Sequence, residues 1–240
     1  MASDAAFRAD VTARASLPGL TAASAALCIA ASLGLFAPWL AFVFKPLTTL
    51  LVIAHAWPRG RDVPTQRRLI LIGLALSLAG DVFLLWPKAG FLPGLVSFLL
   101  AHLAYIVAFC GPVRFAAKPL LFVAYALLAA AILSQLWGGV PVALRAPVLA
   151  YVACLATMAA QAAVWWRTAP DDRAARWAAI GGLSFMASDS LLAFNKFAAP
   201  LPLSALWILT SYWLAQWCIA STLERPALEA TTAPAERSFP

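Results

Sequence analysis

Eight long apolar runs constrain the fold of this 240-residue chain more than any other feature. Each run has about 17 to 25 residues, the length that an α-helix needs to cross roughly 30 Å of hydrocarbon. The runs cover residues 17–36, 39–57, 68–86, 91–110, 117–137, 141–165, 176–197 and 202–223. Charged residues make up only 11% of the sequence, against roughly 25% in soluble domains. The sequence therefore predicts an all-α membrane protein with about eight transmembrane helices in one bundle.

Helices are favoured over strands because lipid does not tolerate unpaired backbone groups, and no alternating barrel pattern is present. Short breaks at Pro38, Gly138–Gly139 and Pro200–Pro202 separate neighbouring runs. We expect three segments along the chain: a polar N-terminal tail at 1–16, the eight-helix transmembrane domain at 17–223 and a disordered C-terminal tail at 224–240.

The distribution of Lys and Arg predicts the orientation. With a cytoplasmic N-terminus, thirteen of the 17 basic residues fall in cytoplasmic segments, and only Lys88 and Arg145 fall in the opposite loops. The positive-inside rule then places both termini in the cytoplasm. The net charge of +7 reflects this topology. Because the basic loops are short and lack interleaved aromatic residues, we expect no nucleic-acid partner.

Two aspartates, Asp81 and Asp189, lie inside apolar runs that carry almost no other charge. An ionised side chain near the bilayer centre costs about 2.5 to 3.5 kcal/mol, so such residues are usually retained for pairing, transport or catalysis. A shift of 108 residues lays segment 73–88 over segment 181–196 and matches the two aspartates. This match indicates a parallel four-plus-four repeat, with the aspartates facing each other at similar depth.

Further polar residues fall at the level of the aspartates. Counted from the predicted helix ends, Lys45, His102 and Lys196 lie with them in a layer roughly 8 to 18 Å below the non-cytoplasmic surface. A cavity that opens toward that side is the simplest arrangement. Plainer explanations remain open: Lys45 snorkels to the interface, His102 and Tyr105 are interhelical hydrogen-bond partners, and the aspartates form salt bridges with Lys45 and Lys196.

The residues that bind metals are scarce. The two histidines, His55 and His102, fall short of the three protein ligands that a catalytic zinc usually needs, so a metal at His102 would require carboxylate ligands. The four cysteines lie on four different predicted helices with no CxxC pair. We therefore expect no metal and no other cofactor.

Four short blocks lie among the apolar runs: Lys45-Pro46-Leu47-Thr48-Thr49, Gly80-Asp81, Phe91-x-x-Gly94-x-x-x-Phe98-x-x-x-His102-x-x-Tyr105 and Ser188-Asp189. In order and spacing, across about residues 20 to 223, they resemble the blocks of the YhhN/TMEM86 family of integral membrane proteins. The resemblance implies eight transmembrane helices and a functional role for Asp81 and Asp189. It also implies lysoplasmalogenase activity, the hydrolysis of the vinyl ether bond of a lysoplasmalogen to a fatty aldehyde and glycerophosphocholine or glycerophosphoethanolamine.

This chemistry suits the residues present. Vinyl ether hydrolysis begins with protonation of the alkenyl carbon, and water then captures the oxocarbenium ion. Our hypothesis is that one of Asp81 and Asp189 donates the proton, while the other orients water and stabilises positive charge. We expect the remaining candidate residues to bind the lipid phosphate or to support the site: Lys45, His102, Tyr105, Lys196, Ser188 and Thr49.

The expected partners are a lysophospholipid substrate and membrane lipids, and the expected location is a bacterial inner (cytoplasmic) membrane. The sequence leaves the oligomeric state open. Two other functions remain as alternatives. One is a small transporter or lipid-binding protein that uses paired intramembrane aspartates. The other is a hydrolase of another lipid class, such as a membrane hydrolase of the zinc-dependent ceramidase type.

Overall fold

The computed structural model describes residues 2–86 and 88–224, and for residues 2–15 it describes the backbone alone. This part of the chain contains eight α-helices and no strand, so the predicted all-α class is confirmed. The helices are α1 (Ala2–Ser32), α2 (Trp39–Ala56), α3 (Pro64–Phe83), α4 (Phe91–Cys110), α5 (Pro119–Leu136), α6 (Val142–Thr168), α7 (Arg173–Phe197) and α8 (Ser204–Ser221). A short 3-10 turn, Trp137–Gly139, joins α5 to α6.

Five helices, α2, α4, α5, α6 and α7, are long and apolar enough to cross a membrane. The chain is therefore a multi-pass integral membrane protein. Of the other three, α3 and α8 are less apolar, and the part of α1 with described side chains, Ser16–Ser32, is apolar but shorter. The first turns of α3 include Arg67 and Arg68, and Gln216 lies within α8. The crossing of all eight helices and the cytoplasmic placement of both termini stay predictions.

The helix ends differ from the predicted ones at several points. The backbone of α1 begins at Ala2, so the predicted polar tail continues the first helix, which ends at Ser32 because Gly34 adopts a positive φ of 79°. Helix α3 begins at Pro64, since a proline fits the first turn, where no backbone donor is needed. Of the predicted C-terminal tail, residues 225–240 lie outside the described residues.

The central bundle consists of α2, α3, α4, α6, α7 and α8, with α1 packed on α2 and α8, and α5 packed on α6 and α7. The most extensive helix–helix contacts are those of α3 with α4 and of α7 with α8, and glycines make room in both. A Cβ atom on Gly73 would lie 2.2 Å from Cε1 of Tyr105, and one on Gly181 would lie 2.9 Å from Cγ1 of Ile219. The side chains of Tyr105 and Ile219 therefore occupy the space that a larger residue at these two positions would need.

The core of the bundle is not uniformly apolar. Small and apolar side chains dominate it, but Asp81, Thr49, His102, Ser188 and Gln216 are all at most 1% exposed. Buried polar groups carry a free-energy cost unless they are hydrogen-bonded. Their partners therefore define the polar site of the protein.

Candidate functional site

A cavity of about 330 Å³ lies near one end of the bundle. Helices α2, α4 and α8 begin at this end, and α3 and α7 end there. Lys45, Asp81, Asp189 and Lys196 all line the cavity. Ser188 lines it as well, so the structure brings five of the predicted site residues, from three different helices, around one shared space.

Asp81 is held by a dense set of donors. Its Oδ2 atom accepts hydrogen bonds from Thr49 Oγ1 at 2.6 Å and from the Tyr212 hydroxyl group at 2.7 Å. The Lys45 ammonium group lies 3.7 Å from Oδ1, and the Asp81 side chain is only 1% exposed. Trp213 in turn donates its indole N–H to Thr49 Oγ1 at 3.3 Å. The charge and lone pairs of this carboxylate are therefore compensated by the protein itself.

Asp189 has different partners. It accepts a short hydrogen bond from the hydroxyl group of Tyr151, and its side chain is 13% exposed. His102 Nε2 lies 3.1 Å from the Tyr151 hydroxyl oxygen and 3.7 Å from Asp189 Oδ2. His102 is fully buried, and within the described residues its Nδ1 atom has no hydrogen-bond partner. Asp189 thus contacts a phenol and an imidazole, whereas Asp81 contacts a lysine.

Tyr105 does not contact either carboxylate. Its hydroxyl group donates to Gln216 Oε1 at 2.9 Å, and Gln216 Nε2 donates to the Tyr212 hydroxyl oxygen at 3.1 Å. Since Tyr212 donates to Asp81, a buried chain of hydrogen bonds runs from Tyr105 to that carboxylate. Among the described residues, Tyr105 thus reaches a carboxylate only through other side chains, and its supporting role at the site stays a prediction.

Ser188 and Lys196 occupy the α7 wall of the cavity. Ser188 Oγ donates to the Ile208 carbonyl oxygen at 3.0 Å, which ties α7 to α8. The Lys196 ammonium group lies 4.0 Å from the centroid of the Phe91 ring, a cation–π contact. In the described part of the chain, Lys45 therefore forms a salt bridge with an aspartate, Asp81, and Lys196 forms none.

Sequence reasoning missed Tyr151, Tyr212 and Gln216. The chain has only four tyrosines, and each lies at least five residues from either end of its helix. Tyrosines of a membrane protein are enriched at the interfaces. A tyrosine or a glutamine far from a helix end was therefore a usable signal of a buried polar network.

A second, narrower cavity of about 80 Å³ adjoins the first. It lies among α4, α5, α6 and α7, and both cavities are lined by Asp189, Phe91 and Phe98. Asp189 therefore lies at the junction of a polar space and an apolar one. Among residues 16–86 and 88–224, whose side chains the structure describes, no group of three or more His, Cys, Asp and Glu side chains is arranged to hold a metal ion.

Comparisons with known proteins agree with this architecture. The chain is 34% identical to human lysoplasmalogenase TMEM86B over 193 residues, which cover 78% of this chain and 77% of that protein. It is 34% identical to human lysoplasmalogenase TMEM86A over 176 residues, 71% of each chain. It is also 35% identical to the uncharacterized membrane protein YhhN of Escherichia coli O157:H7 over 91 residues, 36% of this chain and 43% of that protein. No solved structure matches.

The family assignment covers all of the helices that line the site. The model of the YhhN family matches residues 40–223, which include Lys45, Asp81, Asp189 and Lys196. The resemblance drawn from the short blocks is therefore confirmed over most of the chain. On the strength of this match and of the two human relatives, the chain belongs to the YhhN family.

Proposed function

We propose that this chain is a membrane hydrolase that cleaves the vinyl ether bond of a 1-alkenyl lysophospholipid. The products are a fatty aldehyde and glycerophosphocholine or glycerophosphoethanolamine. The observation that carries the proposal is the pair of aspartates around one cavity with two lysines. The relatives named lysoplasmalogenase, which align over more than two thirds of the chain, support it.

The cavity suits the phosphate of a lysophospholipid. Lys196 is exposed and its described contacts are with aromatic rings, so its positive charge is not neutralised by a carboxylate. Lys45 lies deeper and is already paired with Asp81. In our proposal Lys196 meets the phosphate first, while Lys45 contributes positive charge from below.

The two aspartates take different roles. Asp189 lies where the polar cavity meets the apolar one, which is where the first carbons of an alkenyl chain would leave the head group. We assign Asp189 as the proton donor, with Tyr151 holding one of its carboxyl oxygens. Asp81, paired with Lys45, acts as a fixed carboxylate that orients water and faces the positive charge formed in the reaction.

The proposed reaction consumes one water molecule. Asp189 transfers its proton to the second carbon of the alkenyl chain, and positive charge develops on the first carbon and the ether oxygen. Water adds to the first carbon and gives a proton back to Asp189, which forms a hemiacetal. The hemiacetal then collapses to the aldehyde and the free glycerol hydroxyl group. Glycosidases likewise use two carboxyl groups on either side of an oxocarbenium ion.

Product analysis tests the proposal. Detergent-purified protein is incubated with a 1-alkenyl lysophospholipid and with matched 1-acyl and 1-alkyl lipids, and the products are identified by mass spectrometry. We expect aldehyde from the alkenyl lipid alone, none from the Asp81→Asn and Asp189→Asn variants, and normal release from Asp171→Asn, which changes an exposed loop residue. Fatty acid released from the acyl lipid at the same rate would favour a different lipid hydrolase. Folded protein that turns over none of the lipids but moves protons or lipid in proteoliposomes would favour transport.

A further inference from the structure

The narrow cavity among α4, α5, α6 and α7 has an almost wholly apolar lining. Among its lining residues only Tyr151, Asp189 and Ser190 are polar. Ser190 Oγ already donates to the Met186 carbonyl oxygen at 2.7 Å, within its own helix. The groups left to meet an occupant by hydrogen bonding are therefore Tyr151 and Asp189, at the junction with the polar cavity.

The cavity runs along the bundle rather than across it. Phe91 and Phe197 line it near the end of the bundle where the polar cavity opens. Asp189 lies eight residues before Phe197 on α7, about 12 Å deeper at 1.5 Å per residue. Ala129 lies seven residues before Leu136 on α5, and Ala156 lies eight residues after Val148 on α6, so these two alanines line the part of the cavity farther from that end. An extended chain would follow this path past the carboxyl group.

Helix α5 forms the outer wall of this cavity. In its 18 residues only Ala129 and Leu136 are buried, while Leu120 is 81% exposed and Leu127 is 66% exposed. One end of α5 is packed tightly against α7. A Cβ atom on Gly139, in the turn after α5, would lie 1.7 Å from the Phe197 carbonyl oxygen. One face of α5 therefore lines the cavity, and another is free to contact lipid.

We infer that this cavity is the binding site for the hydrocarbon chain of a single-chain phospholipid. Its volume of about 80 Å³ has room for about six water-sized spheres, so it holds one chain and only its first carbons. The rest of the chain passes along α5 toward the bilayer. The occupant follows from continuity with the polar cavity, where Lys45 and Lys196 supply positive charge for the phosphate of the same molecule.

This inference rests on the proposed function for the identity of the reacting bond, but its test does not depend on turnover. The probe is a 1-alkyl lysophospholipid, which has no vinyl ether to hydrolyse, with a photoreactive diazirine on about the fifth carbon of its chain. The purified full chain is irradiated with this probe, and the labelled peptides are mapped by mass spectrometry. We expect labels on residues 129–136 of α5 and 148–156 of α6. Labels confined to α1, α2 or α8 would overturn the inference.

A pair of tryptophan substitutions on α5, one inside the cavity and one on the exposed face, tests the same site by binding. We expect Ala129→Trp to weaken binding of the alkyl lipid by at least tenfold and to remove the α5 labels, because Ala129 faces the cavity and is 7% exposed. Leu127→Trp adds a similar ring to the exposed face of the same helix and should change neither. Equal binding by the two variants would contradict the inference. If Ala129→Trp does not fold, the labelling of the unchanged protein still decides the question.

The two proposals fail separately. Labels on α5 and α6 without any aldehyde from the alkenyl lipid would support the chain site and refute vinyl ether hydrolysis. Aldehyde release together with labels elsewhere in the bundle would support hydrolysis and overturn the chain site.

Discussion

Asp81 and Asp189 line the same cavity, yet the protein surrounds them differently. Asp81 is 1% exposed and is satisfied by a threonine, a tyrosine and a lysine. Asp189 is 13% exposed and is approached by a tyrosine and a histidine. In our proposal the carboxylate beside the lysine keeps a constant charge, and the one beside the phenol and the imidazole exchanges a proton with the substrate. Two identical side chains in one cavity thus have different neighbours, and the proposal derives different roles from them.

The helices that supply these neighbours follow a regular order. Asp81 on α3 receives its partners from α2 and α8, and Asp189 on α7 receives its partners from α6 and α4. A shift of four helices converts the first set into the second. The order fits the four-plus-four repeat suggested by the sequence, which stays a prediction. Within such a repeat the positions are retained while the partner side chains have diverged.

The largest effect is expected from removing the proposed proton donor. Asp189→Asn should lower kcat by about 10³-fold or more, because the loss of a general acid costs roughly 10² to 10⁴ in rate. Aldehyde release from the alkenyl lipid measures this directly. The variant should keep the thermal stability of the parent protein, since Asp189 is part exposed and has no lysine partner among the described ion pairs. A variant with near-normal kcat would assign the proton to a different group.

The substitution Asp81→Asn should mainly lower the free energy of unfolding. Asp81→Asn leaves Lys45 without its partner, and breaking a buried ion pair costs about 3 kcal/mol of folding free energy or more. Chemical denaturation of the two Asp→Asn proteins in detergent compares the sites. The double variant Asp81→Asn with Lys45→Met should recover part of the loss, because no charge is left unpaired. Equal stability of the two single variants would remove the distinction drawn between the aspartates.

The tyrosines extend the comparison to the groups that hold each carboxylate. A hydrogen bond to a charged group contributes about 1.5 to 3 kcal/mol, so Tyr151→Phe should lower kcat about 10- to 100-fold with little change in KM. Tyr212→Phe should instead destabilise the fold, because the Tyr212 hydroxyl group also links Asp81 to Gln216. Steady-state kinetics and melting temperatures of both variants, measured in parallel, separate the two roles. A kcat loss in Tyr212→Phe as large as that in Tyr151→Phe would argue against a single proton donor.

The smallest effect is expected at the mouth of the cavity. Lys196→Met should raise KM about fivefold and leave kcat unchanged, since an exposed charge contributes about 1 kcal/mol or less to binding. Lys196→Arg serves as the control because it keeps the charge and the aromatic contact. An unchanged KM in Lys196→Met would place the phosphate elsewhere in the cavity.

Much of this arrangement could be predicted from the sequence because charge inside apolar runs is rare. Asp81, Asp189 and Lys45 stand out for that reason, and the Pro and Gly breaks separate the eight helices at nearly the right places. The start of α1 at Ala2 was missed because polar residues are equally compatible with a tail and with a helix that extends beyond the apolar run.

The partners of the aspartates were not predictable in the same way. They depend on which helix faces meet, and those faces are chosen by small residues such as Gly182, which packs on Ala159 of α6. In an alanine-rich sequence, lipid-facing and bundle-facing surfaces have the same composition. Tyr151 and Tyr212 therefore gave no sign of which carboxylate each would contact, even though their positions within apolar helices marked them as polar groups to explain.

The position of Asp189 between a polar and an apolar space has a consequence for what happens after bond cleavage. The bond that would break there joins a water-soluble fragment to an oil-soluble one. In our proposal the first fragment departs through the lysine-lined opening into the aqueous phase, and the second is already beside α5 and dissolves sideways into the bilayer. The two fragments would then leave by different exits. The reverse reaction, in which the aldehyde and the head group rejoin, would be disfavoured because the two products are diluted and also lie in different phases. Accumulated aldehyde would compete with new substrate through the membrane, and its inhibition would scale with its mole fraction in lipid rather than with its concentration in solution.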